Sequence, residues 1–123
     1  MTTEELAYQA ARLAEEKKGI DTEILDITKV SDIADYIIIT AASSRAQLKA
    51  IAAHIEDSLA KADLEPSLRE GKYGDKWFVL DYLDFVVHII DETAREFYNL
   101  EELWAGAMFI PREEWDLKDL SIS

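Results

Sequence analysis

Trp77-Phe78-Val79-Leu80-Asp81-Tyr82-Leu83-Asp84-Phe85-Val86-Val87-His88-Ile89-Ile90 is the stretch that decides the fold. Side chains alternate along an extended chain, so Trp77, Val79 and Asp81 share one face while Phe78 and Leu80 share the other. A short turn around Tyr82-Leu83 returns residues 85–90 antiparallel. Asp91 then stands where it can cap an aromatic-rich helix over 91–104. A tight strand pair feeding a helix is half of a layered α/β domain. Its edges carry Trp, His, Tyr and carboxylates that a plain core does not require, so the functional candidates are sought there.

Upstream, Leu64-Glu65-Pro66 breaks a helix and leads through Ser67 into the hairpin region, with residues 71–75 expected as a mobile loop. The broken helix carries Leu48, Ile51, Ala52, Ile55, Leu59 and Ala62 on one face, and Ser43-Ser44 can cap it. Tyr36-Ile37-Ile38-Ile39-Thr40 is a β-branched run of the kind found in buried strands, and residues 22–28 alternate well enough for another strand. Thr2-Thr3-Glu4-Glu5 resembles a capping box ahead of Leu6, Ala10, Leu13 and Ala14, a helical spacing that Gly19 is expected to end. Downstream, residues 107–123 contain Pro111 at a possible helix start and a polar end, expected as a docked turn and a frayed tail. The order helix, strand, strand, helix, three strands, helix predicts an α/β fold with a mixed sheet and flanking helices, since hairpin-connected strands cannot all be parallel.

The chain has 123 residues, enough for one domain that buries roughly two-thirds of its unfolded surface. With 49% hydrophobic and 32% charged residues it is too apolar to be disordered, and no apolar run approaches a membrane span. A formal charge of −13 argues against a surface built to neutralise nucleic-acid phosphates and favours a basic partner. The absence of cysteine excludes disulfide, thiol and Cys-ligated metal chemistry. The opening residues have neither the basic-then-apolar pattern of a secretion signal nor the Arg-rich character of an organelle presequence, so a cytoplasmic location is expected.

Several separated segments carry one family pattern: Leu25-Asp26, Ala34-Asp35-Tyr36, residues 40–45, Glu70-Gly71, residues 77–88, and Arg95-Glu96-Phe97-Tyr98-Asn99-Leu100-Glu101-Glu102-Leu103-Trp104. Together they resemble the Iojap-like ribosomal silencing factor family over about residues 5–105, so residues 1–106 are read as the family domain. The resemblance implies a nucleotidyltransferase-like core without its catalytic motif. It also implies a non-enzymatic translational repressor that docks on the large ribosomal subunit through ribosomal protein L-fourteen and keeps the small subunit from joining. The chain departs from the family at Ala42 and Leu83, where glycine is common, which leaves the turn geometry there open.

The alternative is a degenerate nucleotidyltransferase or nucleotide-binding protein. Such an enzyme needs a Gly-Ser turn and two carboxylates at i and i+2 on a strand, both facing one metal pair. Here the turn is Ala41-Ala42-Ser43-Ser44, and Asp81 and Asp84 are three apart across a bend. Asp26, Asp35, Asp81 and Asp84 could converge on a metal, but turn aspartates commonly cap backbone N–H groups, so no metal or cofactor is expected. Arg45 at a helix start could meet an anion, and His54 is expected at the surface. Phe97, Tyr98 and Leu100 read as core, with the Tyr98 hydroxyl at the rim. Trp77 follows a polar loop and shares a face with Asp81, so it is expected to be partly exposed, as an anchor facing a basic partner would be. The expected partner surface is therefore Trp77, Tyr98 and Trp104 as apolar anchors, His88 beside them, and Glu70, Asp81, Asp84, Glu101 and Glu102 as an acidic rim. A third reading is a homo-oligomer such as a homodimer, in which the short, alternating 85–90 strand acts as an edge strand and pairs with itself. No membrane and little direct nucleic-acid contact are expected.

Overall fold

The computed structural model describes residues 2–72, 76–98 and 105–116, with the side chains of Lys72, Phe97 and Tyr98 excepted. The elements run α1 (Thr3–Glu16), β1 (Ile20–Asp26), β2 (Tyr36–Ala42), α2 (Arg45–Ala60), β3 (Leu68–Lys72), β4 (Trp77–Asp81), β5 (Phe85–Asp91), α3 (Glu92–Tyr98), β6 (Met108–Phe109) and α4 (Arg112–Trp115). One six-stranded sheet has the order β3-β4-β5-β2-β1-β6. It is mixed, as the hairpin argument requires: β2 and β5 pair in parallel and the other neighbours are antiparallel. No described helix is long and apolar enough to cross a membrane.

The caps follow the sequence chemistry. Thr2 accepts a hydrogen bond from the Glu5 N–H at 3.1 Å, and Ser44 accepts one from the Gln47 N–H at 3.1 Å. Gln47 also donates through Nε2 to the Lys18 carbonyl at 2.8 Å, tying the start of α2 to the end of α1. Asp91 Oδ2 accepts from the N–H groups of Thr93 and Ala94 and so starts α3. The end of α1 differs from expectation. Lys18, with φ 64°, takes the left-handed position, and Gly19 is needed for a different reason. A Cβ on Gly19 would overlap Thr40 Oγ1 and lie 3.0 Å from the Ala14 carbonyl oxygen.

The two sheet faces have separate cores. On the helical face, Ile24, Ile38, Leu80, Phe85, Val87 and Ile89 pack under α1 and α2. On the far face, Leu25, Ile37, Ile39, Trp77, Val79 and Ile90 cluster with Ile27 and Ala34, and Ala94 of α3 packs against them. Thr22 and Thr40 are the buried polar side chains among the described residues, and they satisfy each other across β1 and β2 at 2.8 Å.

Strand β1 begins two residues earlier than the alternation predicted, because a bulge near Asp21, at φ 48°, shifts the register between Ile20 and Glu23. Strand β5 lies between β4 and β2, so the 85–90 segment is interior and not the edge that self-pairing would need. The segment after Gly106 holds more than a docked turn: β6 pairs with β1, and Trp115 of α4 is buried against α1. Arg12 reaches the Trp115 carbonyl at 3.0 Å, and Arg112 lies over the Trp115 ring while pairing with Glu15 and Asp116.

Candidate functional site

The in-register pairing of the far face sets the site. Glu70 of β3, Val79 of β4, His88 of β5, Ile39 of β2 and Glu23 of β1 form one row across the sheet. The next row toward the β4–β5 turn is Leu68, Asp81, Val86, Ile37, Leu25 and Phe109. Of the expected partner residues, Glu70, Trp77, Asp81 and His88 therefore do share one face. Asp84 lies in the adjoining turn, and Glu70 and Asp84 are exposed. The Tyr98 side chain and Glu101, Glu102 and Trp104 fall outside the described residues; of the mobile loop expected over 71–75, Gly71 and Lys72 instead pair in β3 with Phe78 and Trp77, and 73–75 fall outside the described residues.

Trp77 is a correction. It is only 8% exposed, part of the far-face core and not an open anchor. The reason is positional: β4 is flanked by β3 and β5, and the indole turns inward to His88. Its Nε1–H donates to His88 Nδ1 at 3.0 Å, with the ring centroids 5.7 Å apart. His88 must therefore offer the Nδ1 lone pair, which places its proton on Nε2 in the neutral ring.

The aspartates are engaged in local turns. Asp81 Oδ1 accepts from the Leu83 N–H at 2.8 Å, and Asp26 Oδ1 accepts from the Thr28 N–H at 2.9 Å and from its hydroxyl at 2.6 Å. The Asp84 carbonyl accepts from the Asp35 N–H at 2.8 Å, which joins the β1–β2 loop to the β4–β5 turn. Among the described residues no three His, Cys, Asp or Glu side chains gather to hold a metal ion. His54 pairs with Glu16 at 2.7 Å and is half-buried. Burial, followed by the Glu4 carboxylate, pushes the Tyr36 hydroxyl up to about 12; burial likewise raises Tyr8 and Tyr82.

The contacts of Arg95 went unnoticed in the residue pattern, which had left the backbone geometry at Leu83 open. Arg95 of α3 reaches back over the far face to the bulge, donating to the carbonyls of Asp21 at 2.6 Å and Ile20 at 3.3 Å and pairing with Glu23 at 3.3 Å. It is a clamp that fixes α3 against β1. Leu83 holds φ 73° and is largely exposed, so a leucine occupies a backbone conformation that favours glycine. The Asx turn from Asp81 is the signal for the first half of that finding.

The arrangement offers apolar surface, oriented acids and a fixed helix, a set suited to binding. The family model described as "Ribosomal silencing factor during starvation" matches residues 1–122. The chain is 35% identical to the ribosomal silencing factor RsfS of Bacillus subtilis over 98 residues, covering 80% of this chain and 83% of that protein. It is 32% identical to the chloroplastic protein Iojap of Zea mays over 108 residues, which span 82% of this chain and 44% of that longer protein. A crystal structure of a Chromobacterium violaceum protein superposes with a TM-score of 0.81 at 30% identity, covering 86% of this chain and 88% of that one. With the match running from the first helix through α4, the chain belongs to the family of ribosomal silencing factors.

Proposed function

We propose that this chain is a non-enzymatic translational repressor that acts in the cytoplasm by binding the large ribosomal subunit at ribosomal protein L-fourteen and sterically blocking the small subunit. The observation that carries this reading is the family match over residues 1–122. The charge of −13 supports it, because an acidic factor is drawn to a basic ribosomal protein by long-range attraction. The local turn bonds of Asp26 and Asp81 favour binding over metal-assisted transfer. Co-sedimentation with isolated large subunits, and not with small ones, together with slower formation of joined ribosomes, is the expected result. Equal association with both subunits, or joining at the parental rate, overturns it. Association should also slow as salt rises, since screening acts over about 8 Å at physiological ionic strength.

A further inference from the structure

We infer that the end of the sheet carrying the β1–β2 loop and the β4–β5 turn is a docking tip, and that its occupant is a cationic protein surface with an apolar centre. The inference rests on the ribosome-docking reading and names the surface that would make the contact. Here β1 and β4 finish while β2, β3, β5 and β6 begin, so loop and turn residues from across the sheet come together. The exposed large apolar side chains collect at this end: Val30, Ile33, Leu68, Leu83 and Met108, with Phe109 one residue further in. Among the described residues none of them stands at the opposite end.

Ile33 is 85% exposed and Leu83 is 63% exposed, on two segments joined by the Asp35–Asp84 backbone hydrogen bond. Leu83 is also held where leucine is disfavoured. The other non-glycine residues with positive φ are polar and either follow helices or sit at the bulge. A strained, exposed apolar residue presented by a turn that Asp81 braces serves no purpose in folding, and such outliers collect at binding sites.

The charges select the occupant. Asp32, Asp35 and Asp84 are exposed at this end, against Lys29 as the exposed cation of the β1–β2 loop. A second copy of this chain would bring the same acids to the contact, and anionic lipid or nucleic acid would be repelled. A basic protein patch with an apolar pocket satisfies both the leucine and isoleucine tips and the acidic rim.

The test uses isolated large ribosomal subunits and the double variant Ile33→Ser/Leu83→Gly. Expected are a melting temperature equal to or above that of the parent and at least tenfold weaker binding. In parallel, a photoreactive benzoyl-phenylalanine placed at position 33 of the otherwise unaltered chain should crosslink to a basic protein of the large subunit. Should the double variant fold poorly, the crosslink decides. Parental affinity in a well-folded double variant, or a crosslink to a second copy of this chain or to ribosomal RNA, overturns the docking tip and leaves the silencing reading standing. A parent chain that does not bind large subunits overturns both.

Discussion

Trp77 and His88 are diagonal neighbours across the β4–β5 pair, the indole Nε1 3.0 Å from His88 Nδ1. The contact closes the middle of the far face and makes one unit of two residues that looked like separate functional candidates. Trp77→Ala should cost roughly 3–5 kcal/mol of stability, the range for removing a buried large side chain. Trp77→Phe keeps most of the packing and loses the donor, so roughly 1 kcal/mol is expected. Denaturant unfolding of both variants checks the order. An alanine variant as stable as the parent would contradict the core assignment.

Gly19→Ala should destabilise by roughly 1–3 kcal/mol, because the new methyl group meets Thr40 Oγ1 and the Ala14 carbonyl with little room to move. The double variant Gly19→Ala/Thr40→Ala removes one of those obstacles. Its loss should be smaller than the sum of the two single losses, a non-additivity that thermal melts of the four proteins will measure.

Arg95→Ala removes the donors that α3 directs to the Ile20 and Asp21 carbonyls, at a cost of about 1.5–3 kcal/mol for hydrogen bonds from a charged group. Arg95→Lys should recover only part of this, since a single ammonium cannot reach both carbonyls and Glu23 with the geometry of a planar fork. Faster amide exchange in β1 near the bulge, with the α1–α2 side unchanged, is the expected signature.

Leu83→Gly should raise stability by about 0.5–1 kcal/mol, the left-handed strain relieved less the extra freedom of glycine in the unfolded chain. A small upward shift in melting temperature shows it. Leu83→Ala, which retains the Cβ, should show no such gain.

In alkali, Tyr36 gives stability a defined pH dependence. Its folded-state value is raised to about 12 from an unfolded value of 10.0, so the folded protein holds a proton that the unfolded chain releases. The contribution is fully present below pH 10 and is lost as pH rises toward 12. Tyr36→Phe should flatten the decline over that window in unfolding curves taken at stepped pH, with Tyr8 and Tyr82 accounting for what slope remains.

Much of the fold was legible because local chemistry and tertiary packing agreed. The cap at Thr2, the cap at Asp91 and the isoleucine run in β2 each name their element, and the order of elements forces a mixed sheet. The sixth strand was not legible, since Met108-Phe109 is two residues long and owes its form to the β1 edge beside it. The bulge at Asp21 is bonded to an arginine seventy-odd positions away, a relation no local window contains. For the site, alternation correctly placed Trp77 and Asp81 on one face. The exposure of Trp77 was misjudged because a preceding polar loop says nothing about which strands flank β4. The Ile33–Leu83 tip was missed for the converse reason: apolar residues in turns read as incidental until the topology sets them side by side.

The parallel pairing of β2 with β5 has a consequence for how the chain is made. Ile38 and Val87 are partners at the centre of the sheet, but the ribosome delivers one long before the other. Through that interval α1, β1, β2 and α2 emerge with one flank of their most apolar strand unmatched, and only the arrival of β5 closes it. A nascent chain paused after α2 is therefore an unfinished sheet with one flank of β2 open until β5 arrives.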